Sequence, residues 1–130
     1  MPKIQKSDAQ WRQELDAEAY RITRQQGTER PFSHPYNSLK EAGDYHCQCC
    51  GAPLFTSEDK YDSGSGWPSY RCPSSPEALA SRTDNSLAVP RVEVVCARCE
   101  AHLGHVFPDG PAPTGQRYCI NGAALKFQKR

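Results

Sequence analysis

The chain has 130 residues, 37% apolar and 24% charged, with a net charge of +1 from interleaved acidic and basic side chains. That length fits one domain around one core, expected to span residues 1–130 with 1–6 loosely held. The near-neutral charge offers no footprint for nucleic acid or an anionic membrane. No apolar run is long enough to cross a bilayer and none marks a signal peptide, so a soluble cytoplasmic protein is expected.

The chain begins helical. Ser7 with Gln10 three residues on forms a capping box, after which Trp11 and Leu15 share one face. A second helix is predicted from Asp16 as cap, turning Ala19, Tyr20 and Ile22 inward and stopping near Gly27. From Thr28 onward alternation replaces the helical period. The segment 91–96 reads as a strand with Val92, Val94 and Cys96 on one face, and 124–127 alternates too. Shorter strands are predicted at 44–47, 54–56, 105–107 and 116–120. With 9 glycines and 11 prolines the loops are many and the core is lean, so a staple would help such a fold.

Four of the seven cysteines supply that staple. Cys47/Cys50 and Cys96/Cys99 are two Cys-x-x-Cys pairs, each leading into or out of a predicted strand. Two such turns complete a tetrahedral four-sulfur shell, the arrangement of a structural zinc, one per chain. An odd cysteine count and a reducing compartment favour metal over disulfides. Residues 51–95 lie between the pairs, so the ion would clamp distant parts of the chain. Cys49 as a replacement ligand, and His102 as the fourth ligand of a three-cysteine site, are the alternatives.

Cys119 is left unclaimed. On a strand, Arg117, Cys119 and Asn121 share one face while Tyr118 and Ile120 take the other. A nearby guanidinium favours thiolate, the nucleophilic form; the plainer alternative is a buried cysteine acting as a small hydrophobe. His102 and His105, with Asp109 close in sequence, supply imidazoles suited to proton transfer near neutral pH, or serve as structural histidines. The segment 62–69 is a turn-rich loop presenting Trp67, either to a pocket or to the core. Its Gly64-Ser65-Gly66 lacks the following helix of a nucleotide loop.

In the order in which they occur, Gly27 to Phe32, the first knuckle with Gly51 to Phe55, Asp62 to Ser69, the second knuckle, His102 to Gly110 and Arg117 to Asn121 resemble the B-type methionine-R-sulfoxide reductases, nearly end to end from Ser7 to Phe127. The resemblance implies a mainly β fold of two antiparallel sheets with short N-terminal helices and a structural zinc joining the knuckles. It also implies thiol-dependent reduction of the R epimer of methionine sulfoxide, mainly in oxidised proteins and peptides. It makes Cys119 the nucleophile that becomes a sulfenic acid and His105 the proton donor. His102, Asp109 and Asn121 shape the polar side of the pocket, Arg117 holds the thiolate, and Trp67 receives the substrate methyl group.

The chain departs from the family at Ser65, where many members carry a resolving cysteine. Recycling then falls to Cys72, to Cys49 as a weaker candidate, or to thioredoxin or another external thiol. A binding module presenting Trp67 without chemistry, and a zinc ribbon for nucleic acid, are the competing classes. The first leaves the thiol and histidines unexplained, and the second is at odds with the charge.

Overall fold

A computed structural model describes residues 3–85 and 89–130. Helix α1 (Asp8–Glu14) starts at Ser7, whose hydroxyl accepts the Gln10 N–H while the Gln10 side chain returns to the Ser7 N–H. Helix α2 (Ala17–Arg24) starts at Asp16, whose carboxylate accepts the Ala19 N–H at 2.7 Å, and it ends three residues before Gly27. Trp11, Leu15, Ala19 and Ile22 face the core, whereas Tyr20 is only partly covered and its hydroxyl meets Asp8. Within the segment expected to be loosely held, the Ile4 N–H donates to the Arg98 carbonyl and Lys6 pairs with Glu14.

Among the described residues nine strands follow: β1 (Gly43–Cys47), β2 (Pro53–Thr56), β3 (Lys60–Tyr61), β4 (Ser69–Tyr70), β5 (Leu79–Asp84), β6 (Arg91–Cys96), β7 (His102–Phe107), β8 (Arg117–Ile120) and β9 (Leu125–Lys129). They form two antiparallel sheets, a three-stranded one in the order β2-β1-β9 and a six-stranded one in the order β3-β4-β8-β7-β6-β5. The mainly β architecture with two short helices is therefore as expected. Residue 124, expected in the last strand, instead closes a 3-10 turn (Gly122–Ala124) that Asn121 begins. The strands β3, β4 and β5 carry no period of their own in the sequence, being short or largely polar.

The sheets meet at an aromatic junction. Tyr45, Phe55 and Tyr70 are fully buried, with Phe55 stacked on Tyr70 at 4.2 Å and Tyr45 edge-on to Tyr70 at 5.4 Å. Three large rings in one cluster supply much of the apolar burial that a lean composition otherwise lacks.

The register of the larger sheet places the chemistry. Tyr61, Ser69, Cys119, His105, Glu93 and Arg82 stand opposite one another on successive strands, and so share one face across all six. A β-bulge interrupts the pairing of β6 with β7: Gly104 faces Val94 but His102 faces Val95, leaving Leu103 as the extra residue. His102 and His105, three apart, would point to opposite faces of a regular strand. The bulge turns both onto the Cys119 face, with ring centroids 5.6 Å apart. The strand β6 is also buried on both faces near its end, so Glu93 is as buried as Val94 and Cys96.

Candidate active site and metal centre

A cleft of about 380 Å³ opens on the Cys119 face of the larger sheet. Its walls include Ser65, Trp67, His105, Phe107, Arg117 and Asn121 as well as Cys119, with Thr28, Arg91 and Gly104 at the margins. The chain must approach closely here: a Cβ on Gly104 would lie 2.1 Å from the Cys119 carbonyl oxygen, so only glycine lets β7 and β8 meet at this point.

The Cys119 thiol is partly covered. Its sulfur lies 3.9 Å from the Ser65 hydroxyl, and the Ser63 hydroxyl in turn bonds both Ser65 (2.8 Å) and Ser69 (2.7 Å). Burial pushes the thiol above its ordinary pKa, and the Ser65 hydrogen bond and the Arg117 charge only partly oppose it. Arg117 thus favours the thiolate, while desolvation acts more strongly the other way. Arg117 is itself held by Asp109, at 3.0 and 3.3 Å, and lies 4.5 Å over the Phe107 ring. Asp109 is largely exposed, so it reaches the cleft through Arg117.

His102 and His105 are each oriented by a carboxylate that the sequence reading did not single out. His102 Nδ1 donates to the buried Glu93 at 2.7 Å, and His105 Nε2 meets Asp84 at 2.8 Å. Arg82 and Arg91 balance the same two carboxylates at 3.2 and 3.1 Å. Burial lowers the His102 pKa more than Glu93 raises it, so the ring is neutral near pH 7. Burial opposes ionisation of Glu93, but hydrogen bonds from Gln26 and His102, with the nearby charges, hold its pKa below the usual value. A lone carboxylate inside an apolar strand was the available signal, since a buried charge needs partners.

Glu29 was also missed. It is buried, its carboxylate accepts the Gly122 and Ala123 N–H groups at 2.9 and 3.0 Å, and its carbonyl accepts the Trp67 indole N–H at 2.9 Å. Asn121 closes the circuit by accepting the Glu29 N–H and donating to the Leu103 carbonyl, both at 3.0 Å. The indole and the turn after Cys119 are thus fixed through one residue. Asn121 lines the cleft while its amide is spent on this scaffold.

Cys72 is not brought to Cys119. Continuing the β4/β8 register past Tyr70 and Tyr118 would set it opposite Gln116, three positions along or roughly 10 Å, and on the other face. Its thiol lies near Asp59 and Tyr118.

Outside the cleft, the Sγ atoms of Cys47, Cys50, Cys96 and Cys99 all lie within 4.8 Å of one another, with Cys47–Cys99 and Cys50–Cys96 at 3.6 Å. A tetrahedral ion with metal–sulfur bonds of about 2.3 Å requires sulfurs about 3.8 Å apart, so the four fit a closed metal shell. Cys49 stands beside the cluster, near Thr23 and Arg24, and His102 is engaged with Glu93. Arg24 donates to the Cys99 carbonyl and lies 4.4 Å over Trp11, tying α2 and α1 to the second knuckle.

The SelR domain matches residues 15–129. A peptide methionine sulfoxide reductase MsrB of Hahella chejuensis is 58% identical over 98% of this chain and 91% of its own length. Proteins of the same name from Azotobacter vinelandii and Pseudomonas putida are 57% and 55% identical, each over 100% of this chain and 98% of theirs. The fold, the cleft and these matches agree, and the chain belongs to the SelR-domain family of B-type methionine sulfoxide reductases.

Proposed function

We propose that this chain reduces the R epimer of methionine sulfoxide in oxidised proteins and peptides, with Cys119 as nucleophile. The observation that carries the reading is the direct pairing of Cys119 with His105 across β7 and β8, beneath Trp67 in one cleft. The sulfur of Cys119 bonds to the sulfoxide sulfur and the oxygen takes up a proton; that oxygen then passes to the Cys119 sulfur as its bond to the substrate sulfur and the transient S–S bond both break, leaving a sulfenic acid on Cys119 and releasing methionine. The sulfoxide gains two electrons and the cysteine loses two. No external proton is needed overall: the thiol proton balances the one taken up by the oxygen. This suits a cysteine that burial keeps protonated at rest.

Asp84 occupies His105 Nε2, leaving Nδ1 to serve the sulfoxide oxygen. His102 acts from behind that ring as a neutral, Glu93-held neighbour. Arg117, fixed by Asp109, and the Ser65 hydroxyl stabilise negative charge on the sulfur as the proton departs. Trp67, its indole N–H tied to Glu29, offers its ring to the substrate methyl group, which settles which epimer turns its oxygen toward His105.

Recycling requires a reductant: the sulfenic acid and a dithiol yield the Cys119 thiol, a disulfide and water. With Ser65 in place of a thiol and Cys72 on the other face, we assign this to an external dithiol of the thioredoxin kind. The four-cysteine cluster holds one structural zinc, which would fasten the two sheets and take no part in the chemistry. A cytoplasmic setting belongs to the same reading, from the use of cysteine pairs for metal rather than disulfides.

Reduction of the R but not the S sulfoxide of N-acetylmethionine amide is expected, with loss of at least about 10³-fold in Cys119→Ser; activity retained by that variant would refute the nucleophile. Because burial raises the Cys119 pKa, its alkylation by iodoacetamide should keep climbing through and above the ordinary thiol range, and Arg117→Met should move the rise to still higher pH. A plateau already reached at neutral pH would contradict this. A thiol introduced by Ser65→Cys should form a disulfide with Cys119 after one turnover without reductant, seen as a mass loss in the intact protein. Elemental analysis should find close to one zinc per chain, and Cys96→Ser should lose it with destabilisation of at least about 3 kcal/mol in urea; an unchanged metal content in that variant would exclude the cluster as the site.

A further inference from the structure

We propose that a groove running from the Cys119 cleft to Phe32 binds the polypeptide that carries the substrate methionine, an inference that rests on the sulfoxide reading and adds to it where the flanking chain lies. Three depressions share walls. The cleft is joined through Ser65 and Arg117 to an open depression of about 600 Å³, which is joined through Tyr61 and Asp62 to a third of about 310 Å³ bounded by Phe32. The shared residues make one path around the 62–67 loop that presents Trp67.

Phe32 ends that path in an unusual state. Its residue is 71% exposed, and its backbone has φ of 60°, a region that a bulky side chain rarely enters. The conformation is held by its N–H, which donates to the Gly66 carbonyl at 2.6 Å, and by packing so close that a Cβ on Gly66 would lie 2.9 Å from the ring carbons. Left-handed strain and an aromatic ring in solvent both oppose folding, and such strain gathers where ligands are held. The ring rests on the residue next to Trp67, so a chain that covers it is continuous with a side chain seated in the cleft.

The charges along the path are largely committed within the fold. The Lys60 ammonium donates to the Asn37 and Leu39 carbonyls at 3.1 and 3.0 Å, and Arg117 is paired with Asp109. The exposed Lys40 and Asp62 add one charge of each sign to the same walls, so charge supplies no dominant sign and the exposed ring is the anchor. The ligand that fits is an extended segment, which advances about 3.3 Å per residue, with an apolar side chain a few residues from the methionine sulfoxide.

Phe32→Gly removes the ring and accepts the positive φ without strain, so it tests the groove without threatening the fold. Wild type and variant are compared on N-acetylmethionine-R-sulfoxide amide and on two octapeptides carrying leucine four residues before or after the sulfoxide. One octapeptide should exceed the small substrate in kcat/KM by at least roughly tenfold in the wild type, and the variant should lose that gain, as when an anchoring ring is removed. Turnover of the small substrate should be unchanged. Neither octapeptide exceeding the small substrate, or an equal fall on all three substrates, would overturn the groove and leave the sulfoxide reading intact. Fluorescence anisotropy of the same peptides on Cys119→Ser tests the groove without turnover: binding weakened by Phe32→Gly supports it, and binding indifferent to that change refutes it.

Discussion

The antiparallel register of the larger sheet is the constraint on which the site depends. Cys119, His105 and Glu93 belong to three strands brought together only by pairing, and a slip of one residue in any strand would send its member to the other face. The register is defended locally. Gly104 permits an approach that no side chain would, the bulge at Leu103 fixes the offset of β7 against β6, and the buried bonds of Glu93 to Gln26 and His102 exist in that alignment.

A metal held by the four-cysteine cluster would secure the same register. Cys47 ends β1 of the small sheet and Cys96 ends β6 of the large one, so an ion bound by both knuckles ties the sheets at one end while Tyr45, Phe55 and Tyr70 pack them elsewhere. Arg24 extends the tie to both helices. The seven cysteines thus comprise four that form the cluster, Cys119 in the cleft, and Cys49 and Cys72 outside both.

The sequence showed local features well and paired ones poorly. Ser7 and Asp16 mark their helix starts because caps act within three residues, and the Cys-x-x-Cys pairs announce themselves because each knuckle is one turn. Cys119 and Arg117 share a face by simple alternation. Alternation fails for His102 and His105, since the bulge that unites them depends on the pairing with β6. Asp84 and Glu29 gain their roles from partners 21 and 92–94 residues away, a proximity no local pattern encodes. The net effect on the Cys119 thiol was likewise hidden, because neighbours in sequence reveal a charge but not the depth of burial that opposes it.

Ser65 has a kinetic corollary. Under the proposed chemistry, a protein with an internal second thiol can discharge its oxidised cysteine before product leaves or another molecule arrives. Here the doorway beside Trp67 serves both halves of the cycle, so methionine must vacate it before a reductant enters. Under that chemistry turnover follows an alternating, ping-pong order in which excess sulfoxide and reductant compete for the same entrance.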